Sequence, residues 1–117
     1  MARSGTDYLE RYQAGAHARV WAELRALGAA VREEPVLSDA RAVAAETMRR
    51  ARDNVALLAE RLDTMEYRFA AREHPGARSA WTPATAESRA RLALCERMHG
   101  ALPLSLYAWN EVVGAVD

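Results

Sequence analysis

The clearest pattern of apolar and polar positions in the chain runs from Ser38 to Met65. Its apolar residues recur every three or four positions, which places them on one face of a helix. They are Met48, Ala51, Val55, Leu58, Leu62 and Met65. The stretch lacks Gly and Pro and is rich in good helix formers. It therefore predicts one helix over residues 38–65, with Ser38 as its N-cap. The polar pair Asp53-Asn54 leaves open a break in the middle.

Two shorter helices are predicted before this long one. The first covers residues 7–13, and the second covers residues 17–34 and ends before Pro35, because the residue preceding a proline disfavours helical geometry. The apolar stripe of the second helix consists of Val20, Leu24, Leu27 and Val31. Gly28 interrupts this helix, and we interpret it as a point where another helix approaches closely.

The chain after residue 65 changes character. Tyr67 and Phe69 alternate with charged residues, which is typical of a short extended piece. Pro75-Gly76 marks a turn, so residues 70–82 are predicted to form a loop. A helix is then expected to restart at Thr82-Pro83, with Thr as the cap and Pro in the first turn.

The last part of the chain predicts two helices separated by a tight junction. Trp81 is expected to pack on the first turn of the earlier helix as a hydrophobic staple. The apolar stripe of that helix is Leu92, Cys95, His99 and Leu102. Gly100 is predicted to end it, and Ser105 to cap a final helix over residues 106–113.

No stretch alternates long enough to predict a sheet. We therefore predict an all-α fold, an irregular bundle of four to five helices around the long helix, as a single domain over residues 1–117. A HEAT-like stack of helix pairs is the alternative.

Composition narrows the function classes. The sixteen basic residues, all of them Arg, balance sixteen acidic residues, so no net field steers the chain toward nucleic acid or an anionic membrane. No apolar run is long enough to span a membrane, and the N-terminus lacks the apolar core of a signal peptide. The single cysteine, Cys95, cannot form an internal disulfide. These features favour a cytoplasmic protein.

Candidate chemistry is sparse. The chain carries none of the usual phosphate-binding, dinucleotide, nucleophile-elbow or zinc motifs, and without Lys it cannot form a Schiff base. Cys95 and His99 are spaced to share a metal or to form a thiol–imidazole pair, but a buried thiol beside a helix-terminal histidine is the simpler interpretation. We expect no enzyme, cofactor or metal. The arginine cluster Arg49, Arg50 and Arg52 is most simply a solvated helix face.

Residues 92–116 contain a characteristic series of positions: Glu96, Gly100, Leu102, Pro103, Ser105, Trp109 and Gly114. With this series the segment resembles the opening of the SUKH superfamily, which includes bacterial toxin-immunity proteins. The preceding helical region is similar to uncharacterised proteins from GC-rich bacterial genomes, in which more chain follows. The resemblance implies either the N-terminal helical portion of a longer protein or a shortened relative. Without a following sheet, we expect Leu106, Trp109, Val112 and Val113 to be exposed.

The expected function is a non-enzymatic helical module that binds a protein partner, in a bacterial toxin-immunity or defence setting. A structural, self-associating domain is the alternative, and a small enzyme using Cys95 and His99 ranks last. The candidate interaction residues are Trp81, Arg49, Arg50, Arg52, Tyr107 and Trp109. We expect neither nucleic acid nor a membrane as a partner.

Overall fold

The computed structural model describes residues 6–66 and 81–116. These ranges fold almost entirely into helices, which confirms the predicted all-α class. The elements are α1 (Tyr8–Gln13), α2 (His17–Ala26), a 3₁₀ segment (Gly28–Arg32), α3 (Val36–Thr64), β1 (Trp81–Pro83), α4 (Ala86–His99), α5 (Leu104–Ala108), a π-helical turn (Trp109–Val113) and β2 (Gly114–Val116). The chain divides into two compact units, residues 1–46 and 47–117. We call these the N-terminal and C-terminal units; the single domain stays a prediction.

The long helix exists as predicted and is continuous through Asp53. It has 29 residues and begins at Val36, where the amide of Leu37 already donates to the carbonyl of Glu33. Ser38 therefore lies inside the first turn, and the prediction that it is the N-cap is wrong. Its hydroxyl donates to the Glu34 carboxylate instead.

The second helix is shorter than predicted. α2 ends at Ala26, and Gly28 adopts a φ of +56°, a left-handed conformation that an α-helix does not contain. A Cβ on Gly28 would meet nothing within 4 Å among the described residues. The predicted close approach of another helix is therefore wrong. Glycine serves here to turn the chain from α2 into the 3₁₀ segment.

The N-terminal unit contains most of the fully buried side chains in the described parts of the chain. They come from its three helices and are Tyr12, Val20, Leu24, Ala40, Val43 and Ala44. The predicted stripe of α2 is thus half right: Val20 and Leu24 are buried, while Leu27 and Val31 are only partly covered.

Asp39 joins the start of α1 to the first turn of α3. Its carboxylate accepts hydrogen bonds from the amides of Tyr8 and Leu9, at 2.7 and 3.2 Å. These amides open α1 and have no carbonyl partner within their own helix. A carboxylate is a strong acceptor at this positive helix end, so Asp39 caps α1 from 30 residues away.

A second polar link joins α1 to α2. The guanidinium of Arg11 contacts both carboxylate oxygens of Glu23, at 2.7 and 3.0 Å, and also Asp7 at 3.0 Å. It lies 5.2 Å from the centre of the Tyr8 ring. The hydrogen bonds from Arg11 hold the pKa of Glu23 below its ordinary value. The same hydrogen bonds, first to Glu23 and then to Asp7, raise the pKa of Arg11.

The C-terminal unit contains a small sheet that the sequence did not predict. β1 and β2 pair antiparallel, with Trp81 opposite Val116 and Pro83 opposite Gly114. Trp81 and Thr82 therefore lie in a strand, which corrects the predicted loop at its C-terminal end. The rest of that loop, and the extended piece predicted around Tyr67, lie outside the described residues.

The start of α4 is also corrected. The N-cap is Thr85, whose side chain accepts from the amide of Ser88 while the Ser88 hydroxyl accepts from the amide of Thr85. In this reciprocal capping box, the side chain of each residue accepts a hydrogen bond from the backbone amide of the other, so that two amides of the first turn are satisfied. Thr82 and Pro83 belong to β1 rather than to the helix, because they pair with Ala115 and Gly114 of β2.

The helix α4 ends where the sequence predicts, whereas the N-cap of α5 differs from the predicted one. α4 stops at His99, and Gly100 has a φ of +97°, which confirms the predicted glycine stop. α5 begins at Leu104 after Pro103, so Ser105 lies within its first turn and is not the cap.

Candidate interaction surfaces

Trp81 is held in place by the end of the last helix. Its indole N–H donates to the carbonyl of Val113 at 2.8 Å, and its side chain is partly buried. Carbonyls at a helix C-terminus lack partners in their own helix. Trp81 therefore acts as a cap for the π-helical turn. The predicted staple on α4 is wrong, because Trp81 lies in β1, four residues before the Thr85 N-cap.

Arg89 supplies a second cap at the same turn. Its Nε donates to the carbonyl of Glu111 at 2.9 Å, and a cation is favoured at the negative end of a helix. Trp81 and Arg89 thus satisfy two carbonyls of a π-helical turn, a geometry that is uncommon and less favourable than an α-helix. Sequence reasoning missed Arg89, because its target lies 22 positions along the chain.

The residues that carry the SUKH resemblance have structural roles here. The Glu96 carboxylate accepts from the amide of Leu102 at 3.0 Å and so closes the turn after α4. Gly114 has a φ of +108°, and a Cβ there would clash with the backbone of Thr82, Pro83 and Ala84. Glycine is thus required where β2 passes close to β1.

The other two aromatic candidates are partly covered. Tyr107 and Trp109 are half-buried, and Val113 beside them is fully buried. Leu106 is exposed and Val112 is half-buried. The expectation that Leu106, Trp109, Val112 and Val113 are all exposed therefore holds only for Leu106. Trp109 and Val112 are half-buried, and Val113 is fully buried where the Trp81 indole of β1 donates to its carbonyl.

A surface depression of about 470 Å³ lies beside the sheet. Its lining consists of Thr82, Pro83, Ala84, Thr85, Ser88, Arg91, Leu92, Asn110, Gly114 and Ala115. The polar groups at its edge serve local structure: Arg91 pairs with Glu87, and the amide of Asn110 donates to the carbonyl of Leu106. Thr85 and Ser88 form the capping box. The depression therefore presents mainly backbone and small apolar groups.

The arginine cluster lies on the distal part of α3. Arg49 and Arg50 are exposed, and Arg52 is half-buried with its Nε 4.0 Å from the carboxylate of Asp53. Their positions spread over a wide arc of the helix. This arrangement matches the predicted solvated face better than a concentrated anion site.

Cys95 and His99 are both exposed near the end of α4. The expectation of a buried thiol is therefore wrong: the predicted stripe is half-buried at Leu92 and Leu102 and exposed at Cys95 and His99. Within residues 6–66 and 81–116, no group of three or more His, Cys, Asp or Glu side chains is arranged to hold a metal.

Two large, exposed apolar side chains lie on the distal part of α3 in line with its apolar stripe. Leu58 is 58% exposed and Met65 is 73% exposed, while Val55 and Leu62 on the same stripe are half-buried. We call these four residues the distal face of α3. Met65 also borders a shallow depression of about 400 Å³, together with Leu57, Glu60, Arg61 and Thr64. The sequence pattern located this stripe on one face of the long helix.

A smaller apolar surface lies on α4, where Leu94 and Met98 are exposed one turn apart. The remainder of that helix surface is charged or small, and α4 contains no fully buried residue. Compared with the distal face of α3, this surface is short, since it covers a single turn.

The fold and these surfaces define a small all-α protein with an exposed apolar helix face. No family model matches the chain, and neither a curated protein nor a solved structure matches it. Among the described residues, none of the helices is both long enough and apolar enough to cross a membrane.

Proposed function

We propose that this chain is a non-enzymatic helical module that binds a protein partner through the distal face of α3. The observation that carries the proposal is the exposure of Leu58 and Met65 on a regular helix, in line with the half-buried Leu62. Contiguous apolar surface of this kind is typical of protein interaction sites. An apolar stripe at helical spacing fits a partner helix best, because ridges and grooves of two helices interlock.

Burial of this face would contribute favourable free energy to binding. Fully burying one Leu or Met side chain contributes about 1.5–3 kcal/mol. Leu58 and Met65 keep more than half of their surface open, so a partner that covers them gains a large part of that amount at each. The charged residues beside the face supply a polar rim, as in known interfaces.

The biological setting that we propose is bacterial and cytoplasmic, in toxin immunity or defence. It rests on the SUKH-like residues 92–116. In that segment Glu96 and Gly100 form the turn after α4. Trp81, Tyr107 and Trp109 are then framework residues of the C-terminal unit, and the partner contacts α3.

Site-specific photo-crosslinking in bacterial cells tests the proposal. A photoreactive phenylalanine analogue at Leu58 or Met65 is expected to yield a discrete covalent adduct with one protein. The matched control is the same analogue at Asp53, which is exposed and lies about 140° around the helix from Leu58. It is expected to yield none.

Two results contradict the proposal. One is the absence of any discrete adduct from both Leu58 and Met65. The other is the same adduct pattern from Asp53 as from Leu58, which shows collision rather than docking.

A further inference from the structure

The last turn of α4 carries three side chains that can bind a metal ion through sulfur or nitrogen. Cys95, Met98 and His99 stand at positions i, i+3 and i+4. They therefore lie within about 100° of arc and about 6 Å of helix length, with Cys95 between the other two around the helix. Cβ atoms at these spacings from Cys95 are about 5–6 Å away, which allows the three donor atoms to converge on one ion.

All three side chains are open to solvent. Met98 is 67% exposed, and Cys95 and His99 are exposed as well. In the described parts of the chain, neither the Cys95 thiol nor the His99 imidazole takes part in a hydrogen bond or an ion pair. The interpretation that explained this cysteine as a core residue therefore does not apply, and its donor atom is available to a ligand.

The identity of the three donors selects the ion. Cys95 and His99 alone offer two ligands, and the described residues place no further His, Cys, Asp or Glu beside them to complete a set of three. Zinc sites in proteins are built from those residue types and are usually four-coordinate. The thioether of Met98 supplies the third ligand, and a thiolate with a thioether is a soft donor set that favours Cu(I), which imidazole also suits. We propose that Cys95, Met98 and His99 bind one Cu(I) ion.

The local charges favour a cation at this place. α4 ends at His99, just before the stop at Gly100, and the C-terminal turn of a helix carries a partial negative charge. Arg91, one turn before Cys95 on the same side of the helix, forms an ion pair with Glu87. This pairing offsets the one basic charge of the preceding turn that faces the site.

Binding requires no redox step. The Cys95 thiol releases its proton to solvent and its sulfur coordinates the ion, since the thiolate is the metal ligand. Copper enters and stays as Cu(I). The three ligands come from one helical turn, so the ion does not join separate elements and can leave without unfolding of the chain. The site uses no residue of the distal face of α3 and is independent of the proposed function.

Anaerobic competition for Cu(I) against bicinchoninate, a coloured Cu(I) chelator, tests the site in the full chain. The protein is expected to withdraw one equivalent of Cu(I). Cys95→Ser should abolish this binding, and Met98→Leu and His99→Gln should each weaken it. Met65→Leu is the matched control, because Met65 is a helical methionine of similar exposure, 73%, without a neighbouring cysteine. It is expected to bind like the unchanged protein.

X-ray absorption of the copper-loaded protein identifies the ligands. Two sulfur ligands and one nitrogen ligand are expected, and Met98→Leu should lose one of the sulfurs. Because the three side chains are exposed, their replacement should leave the helix content unchanged, which circular dichroism checks in each variant.

Four results overturn the proposal. The first is failure of the protein to withdraw one equivalent of Cu(I). The second is equal affinity in Met98→Leu and the unchanged protein, which shows binding by the thiol alone. The third is a loss in Met65→Leu as large as in Met98→Leu. The fourth is Zn(II) binding as tight as that of Cu(I), which contradicts the choice of ion.

Discussion

The two ends of α3 carry the same apolar repeat in different environments. In the N-terminal unit, Ala40, Val43 and Ala44 are fully buried. Further along the same helix, Leu58 and Met65 keep more than half of their surface exposed. The helix itself is continuous, so the difference lies in what covers each end.

The two ends of α3 also differ in the size of their apolar side chains. The buried end uses small side chains, whereas the exposed end uses large ones. Large apolar side chains gain more from burial than small ones, so a helix stabilised only by its own core would place them the other way round. This contrast supports our proposal that another chain contacts the distal residues.

The largest expected effect is at the buried end. Val43→Ala removes two carbon atoms from a fully buried position and leaves a cavity, which is expected to cost about 2 kcal/mol in the free energy of unfolding. Urea denaturation followed by circular dichroism measures it. A loss below about 0.5 kcal/mol would show that the N-terminal unit does not depend on this core.

The next effect concerns the polar link between α1 and α3. Asp39→Ala removes the acceptor for the amides of Tyr8 and Leu9 and is expected to destabilise the N-terminal unit by about 1–2 kcal/mol. Asp39→Asn retains one acceptor oxygen and is expected to cost less. Amide hydrogen exchange at Tyr8 and Leu9 provides the readout. Unchanged protection in Asp39→Ala would contradict the role as a cap.

A smaller effect is expected in the acid range. Because Arg11 lowers the pKa of Glu23 in the folded state, the unfolded state binds a proton more readily. The stabilisation is present above the ordinary pKa of 4.5 and is lost as pH falls through the lower folded value. Glu23→Gln should therefore flatten the stability profile below pH 4.5, whereas Glu60→Gln should not. Equal profiles for both variants would contradict the link.

The smallest effect is expected at the distal face. Leu58→Ala should change the free energy of unfolding of the dilute protein by less than about 0.5 kcal/mol, because its side chain is largely exposed. A cost near that of Val43→Ala would remove the contrast between the two ends of the helix.

The sequence predicted the features that depend on neighbouring residues. The long helix, the stop at Gly100 and the junction at Pro103 all follow from local propensity and capping. The sequence identified Gly28 as an interruption of the second helix, but the interpretation as a close approach of another helix is wrong. Only the backbone of the folded chain shows that Gly28 adopts a positive φ.

Features that join distant parts of the chain were missed. From the sequence, Asp39 is an acidic residue in the first turn of α3, and no neighbouring residue in the chain indicates that it caps α1. The strands are three residues long, too short for an alternating pattern. Periodicity also gives Val43 and Leu58 the same expectation of burial, because it identifies a face and not what covers that face.

Thiol labelling of two positions on α3 tests the central contrast most directly. In a reduced Cys95→Ser background, Val43→Cys and Leu58→Cys are compared at low and high protein concentration. We predict that Leu58→Cys in the dilute protein reacts at the rate of an open thiol, while Val43→Cys is protected at both concentrations. Protection of Leu58→Cys equal to that of Val43→Cys in the dilute protein would contradict the account.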